Sequence, residues 1–163
     1  MAAMTGAATK SNTAEMTKLF ALGYGIFRKD FGGDVEFGTK FSSAIAGAVQ
    51  AFRTDGADLS QGISNIGAAA SSMGVTLQEE LSIIGVAKSS FNSASEAATG
   101  YRAFLDNVGR AQKDLGLEFT DSNGKMLPMV DILTMIQDKF GDLSVLENSD
   151  ALKNAFGSAE AVK

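Results

Sequence analysis

The chain has 163 residues, 45% of them hydrophobic and 20% charged, with a net charge of −5. That length carries one domain with its own core, or a segment of something longer. There is no His, no Cys and no Trp, which excludes a Ser-His-Asp triad, a thiol nucleophile, a disulfide and a zinc site built on nitrogen or sulfur ligands.

Residues 1–10 are small and weakly patterned, with neither a basic start nor an apolar run, so they read as a disordered N-terminal segment rather than a targeting signal. Residues 11–56 read as a helical pair. Asn12 precedes Glu15 at capping-box spacing, and Met16, Leu19, Phe20 and Phe27 line a helix that breaks near Gly32-Gly33. Phe37, Phe41, Ile45, Ala48, Val49 and Phe52 line a second, ending around Asp55-Gly56. Residues 57–163 read as a further helical region with a hairpin. Leu59, Ile63, Ile66, Ala70 and Met73 form one stripe, with Gly74 placed as a C-terminal cap. Thr76 with Glu79 and Ser93 with Glu96 then open two further helices at capping-box spacing.

Leu117-Glu118-Phe119-Thr120 and Lys125-Met126-Leu127-Pro128 flank Asp121-Ser122-Asn123-Gly124, and alternation about an Asn-Gly pair predicts a β-hairpin. A helix with Val130, Ile132, Leu133, Ile136 and Phe140 follows and stops at Gly141; another ends at Gly157. Ser158 and Glu160 resemble a helix start left unfinished, which suggests a fragment of a much longer protein. The expected fold is all-α: an irregular antiparallel bundle of about six to seven helices with one short β-hairpin near residues 117–128.

Residues 56–105 carry six charged side chains, whereas the shorter stretch 106–142 carries eleven. A charge-poor helical region containing Gly62, Gly67, Gly85 and Gly100 needs close helix approach within the chain, or burial against other copies. Site chemistry is sparse. The Asp121–Gly124 segment has Val130, not an acid, at the final calcium-ligand position, so the turn is the better reading. Gly23-Tyr24-Gly25 lacks the rest of a phosphate loop. Glu79 and Glu80 are adjacent and diverge by about 100° on a helix, which suits a cap and a solvated face rather than paired acid-base work. Lys88 and Arg102 have Glu96 as a candidate partner. The Met residues at 126, 129 and 135 read as core fillers. No basic patch for nucleic acid is visible, and no stretch is apolar enough to span a bilayer.

From residue 59 onward the order of pieces resembles the core region of phage tail tape-measure proteins. The first motif is Gly74-Val75-Thr76-Leu77-Gln78-Glu79-Glu80-Leu81. The second runs from Ser95 through Ala97, Thr99 and Arg102 to Leu105, with Ala98 where the family often has Gly. The third joins Leu115-Gly116-Leu117 to Asp121-Ser122-Asn123-Gly124-Lys125, and the last is Phe156-Gly157-Ser158-Ala159-Glu160-Ala161.

The resemblance implies a structural role, with these positions structural and not catalytic, and with no cofactor. Tape-measure proteins look like long helical chains in the lumen of the tail tube. Their length sets tube length, and they leave ahead of DNA during infection. The implied partners are the tail tube protein, tail assembly chaperones and the baseplate hub, with several copies per tail and no direct nucleic-acid contact. The implied locations are the virion tail lumen and, during assembly, the host cytoplasm. Two alternatives stand beside this reading: a helical component of a tailocin or contractile injection device, and a peptidoglycan-degrading module using carboxylates alone.

Overall fold

Cap chemistry sets where the helices begin and end. Asn12 accepts a hydrogen bond from the Ala14 amide, Asp55 from Asp58, Thr76 from Glu79 and Ser93 from Glu96, opening four helices in turn. A computed structural model describes residues 1–142 and 145–162, and among them the chain is all-helical. Eight α-helices follow one another: α1 (Ala2–Thr9), α2 (Thr13–Phe27), α3 (Asp34–Phe52), α4 (Gly56–Ser72), α5 (Leu77–Ala87), α6 (Ala94–Leu115), α7 (Met129–Phe140) and α8 (Leu146–Phe156). A short 3₁₀ turn, Arg28–Asp30, closes α2.

The helix count is higher than the six to seven expected, and one reason is α1. Residues 1–10 form this helix in place of the disordered segment read from the sequence. Thr5 and Thr9 are buried, and the Thr5 hydroxyl lies 2.6 Å from that of Ser42 on α3. Small residues gave no apolar stripe to read, yet they let α1 sit close against α2 and α3.

The β-hairpin near 117–128 is the second correction. Among the described residues there are no strands, only one isolated bridge between Thr120 and Met126. The chain does reverse there, and Asp121 donates to the Lys125 carbonyl at 2.8 Å and Leu127 to the Phe119 carbonyl at 2.9 Å, but the reciprocal amides are spent elsewhere. The Asp121 carboxylate accepts from the Asn123 and Lys125 amides at 2.8 and 2.9 Å. Met126 donates to the Met73 carbonyl at the end of α4. Pro128 has no N–H to give. The Phe119 amide goes to Gln112 Oε1 at 3.2 Å, so with Lys125 diverted as well the reciprocal ladder bonds are missing and a side-chain-braced loop forms instead of strands.

Side-chain contacts fix the directions of the helices. Phe41 lies against Gly23 and Tyr24 against Phe37, so α2 and α3 are antiparallel. Ile84 meets Gly62 and Glu80 meets Gly67, so α5 runs back along α4. Asp58 accepts from the Ala94 amide and the Asn65 carbonyl from Arg102, so α6 returns parallel to α4. One contiguous core joins these helices, from Met16 and Phe41 through Ile63 and Leu105 to Phe156.

The mid-helix glycines serve close approach within the chain. A Cβ on Gly67 would stand 2.8 Å from Ile26 Cδ1, and one on Gly100 2.7 Å from Phe91 Cζ. Gly85 lies against the Phe52 ring.

Candidate functional site

The first and third motifs meet at one corner of the molecule. Helix α4 ends in a Schellman closure: Gly74 donates to the Ser71 carbonyl at 3.1 Å and Val75 to Ala70 at 3.0 Å, with Gly74 at φ +87°. Val75 tucks into the core behind it. Leu77 and Leu81 carry the buried face of α5. Helix α6 ends the same way. Gly116, at φ +60°, donates to Lys113 and Leu117 donates to Gln112, while Leu115 is buried and its carbonyl takes the Lys139 ammonium. The loop beyond returns to α4 through Met126 and Met73, and the Lys125 stem lies over Gly74. Gly124, at φ +75°, makes the turn possible. Its backbone amides hold the Asp121 carboxyl below its ordinary pKa, the Lys125 amide first.

Glu79 and Glu80 part company as their helical offset requires. Glu79 Oε1 accepts from the Met129 amide at 2.8 Å, capping α7, whose own cap residue Pro128 has no side-chain hydrogen bond to offer. Glu80 turns inward, against expectation. It is 0% exposed, and neither carboxylate oxygen has a hydrogen-bond partner. Burial pushes its pKa up to about 8. Position 80 lies on the stripe of Leu77, Leu81 and Ile84, and that spacing was the available signal. The expected pairing with Glu96 also differs. Lys88 pairs with Asp58 and donates to Thr54, Arg102 faces Asp106, and Glu96 receives the Asn92 amide and side chain.

The second and fourth motifs meet on the far side of α6. Ala97 and Leu105 are buried, Thr99 is exposed with its hydroxyl on the Ser95 carbonyl, and Arg102 pins α6 to α4 through the Asn65 carbonyl at 3.2 Å. Phe156 stacks on Phe104 with ring centroids 4.8 Å apart, and Phe119 from the third motif lies 6.1 Å from Phe156. Gly157, at φ +70°, ends α8 beside Arg110, which donates to the Ala155 carbonyl at 3.0 Å. Ser158 accepts from the Ala161 amide at 3.0 Å, the geometry of a helix cap.

Between the 3₁₀ turn, α3, the end of α4 and the start of α5 lies a cleft of about 590 Å³. Gly74, Val75 and Leu77 of the first motif and Lys125 of the third line it, together with Lys29 and Lys40. Sequence reading missed this gathering, because the three lysines are far apart in the chain.

A family model described as phage-related minor tail protein matches residues 1–157. The chain belongs to the phage-related minor tail protein family. Neither the comparison with curated proteins nor that with solved structures gives a match. Membership gives this minor tail protein a structural role in a phage tail, located in the virion tail and associated with other tail components.

No group of three or more acidic residues among those described is placed to hold a metal ion. No described helix is long and apolar enough to cross a membrane. Glu80, a carboxyl raised toward the range of a general acid, is sealed from solvent, and its neighbour Glu79 is occupied in capping α7.

Proposed function

We propose that this minor tail protein is a segment of a tape measure: a non-enzymatic chain in the lumen of the tail tube that sets tube length, assists assembly and leaves ahead of DNA. The observation that carries the reading is where the motif residues fall. Gly74, Gly116, Gly124 and Gly157 all hold positive φ at turns, and Arg102, Leu105 and Phe156 hold the helices between them. The residues that carry the resemblance are therefore those that close one helical unit. The tail tube protein, assembly chaperones and baseplate hub are its proposed partners, with several copies per tail.

A helix advances about 1.5 Å per residue, so residue count translates directly into length. Removing residues 59–105 in frame takes out a stretch worth roughly 70 Å if extended as one helix. Packed side by side as the rest of α4, α5 and the first half of α6, the same stretch is only as long as its longest piece, residues 59–72 of α4, roughly 21 Å. Negative-stain electron microscopy of particles carrying the deletion tests the role. Missing tails are expected from a folded module needed for assembly, and tails shortened by about 70 Å from an extended ruler. Tails of normal length on infectious particles would overturn the tape-measure reading.

A further inference from the structure

The cleft gathers cationic charge in a protein that is acidic overall. Lys29 comes from the 3₁₀ turn, Lys40 from α3 and Lys125 from the loop after α6, and Asp30 is the one acid on the wall. Lys40 is shared with Glu36 at 2.7 Å. Thus three of the chain's 14 basic residues face one concavity, against a net charge of −5 for the whole. The wall is not only charged. The half-buried Phe31 gives it an apolar part, with Val75 and Leu77, 4% and 2% exposed, belonging to the core beneath.

We propose that this cleft binds an acidic peptide segment of a partner protein, its carboxylates held by Lys29, Lys40 and Lys125 and an apolar side chain between them set against Phe31. The volume of about 590 Å³ is that of a site for a few side chains. No arginine lines it, so it lacks the bidentate fork that favours phosphate, and the Phe31 ring offers nothing to a phosphodiester backbone. The acidic remainder of the chain repels a long polyanion, whereas a short acidic segment meets only the local field. The lysine stem over Gly74 ties the charge to the fold: a Cβ at Gly74 would stand 3.1 Å from Lys125 Cδ. The proposal goes beyond the tail role and concerns the isolated chain, so its failure leaves that reading standing.

The test uses the purified full chain and a fluorescein-labelled heptapeptide alternating Glu and Leu, followed by anisotropy. Saturable binding is expected, with amide shifts at Gly74, Val75 and Lys125 in NMR spectra. Reversing Lys29, Lys40 and Lys125 together to Glu weakens binding by about tenfold or more. Reversing Lys18, Lys113 and Lys153 instead, an equal change in net charge outside the cleft, alters it by less than about twofold. A peptide with Gln in place of Glu binds correspondingly weakly, a comparison that needs no change to the protein. Absence of saturable binding, equal loss in both triple variants, or equal affinity for the Gln peptide would overturn the proposal. So would tighter binding of inorganic phosphate or of a short DNA duplex at the same residues.

Discussion

Consecutive positions on a helix diverge by about 100°, and that offset sends Glu79 to the amide of Met129 and Glu80 into the core. A buried carboxyl without a partner persists by staying protonated, because burial penalises only the charged form. In the unfolded chain Glu80 ionises near its ordinary value of 4.5; in the folded chain it holds its proton up to about pH 8. Between those values the folded state binds more protons than the unfolded state, so stability falls as pH rises. The contribution is complete below about pH 4.5 and gone above about pH 8. Tyr101 on α6 feels the same site: burial first, then the charges of Glu79 and Glu80, raise its pKa. Urea unfolding at pH 6, 7 and 8 is expected to show stability dropping by about 1.4 kcal/mol per pH unit from this one group. Glu80→Leu, which removes the titration and keeps an apolar filling, should flatten the profile and be the more stable protein at pH 8. A variant whose slope matches the native one would show that the carboxyl is not buried as described.

At the scale of elements, the helix stops are the best-determined part of the fold. Gly74 and Gly116 sit at positive φ in paired Schellman closures, a backbone region that costs an L residue about 1–2 kcal/mol. Gly116→Ala is expected to cost about that much, and Gly74→Ala more, since its new methyl also meets the Lys125 stem. Urea midpoints of the two variants check the order; equal or negligible losses would mean that the turns relax. Gly116 stood out only as part of a family motif, whereas the stop at Gly74 was legible in the sequence because it depends on one residue and its own helix. The caps at Thr76 and Ser93 were legible for the same reason. The loop at 117–128 was misread because the Lys125 and Phe119 amides are claimed by the side chains of Asp121 and Gln112, and the Met126 amide by Met73, far away in the chain. Glu79 illustrates the same limit. Its spacing from Thr76 marks a helix start correctly, but its carboxylate caps a different helix. The lysine-lined cleft was invisible for that reason too, as three separate elements contribute to it.

At the scale of the whole molecule, close approach replaces a charged surface. Gly62, Gly67, Gly85 and Gly100 are buried where helices approach, and the outer face of the charge-poor region from 56 to 105 is largely uncharged, with Gln61, Ser64, Ser82 and Thr99 exposed. A module closed so tightly is at odds with a chain that leaves through a tube as an extended helix, so the proposed tape-measure role requires the module to open or to travel folded. The absence of cysteine makes the two routes separable. Asn65 on α4 and Ser95 on α6 touch through their side chains at 3.0 Å. Replacing both with cysteine leaves assembly untouched in a reducing host cytoplasm and permits a cross-link in the released particle. If the helices must separate for ejection, oxidised particles keep normal tails, fail to deliver DNA and recover when reduced. That is the expected outcome, because the parallel pairing of α4 and α6 has to break before this stretch becomes one continuous helix. A gel shift that shows complete cross-linking alongside undiminished infectivity would mean that the module travels, or stays behind, in its folded form.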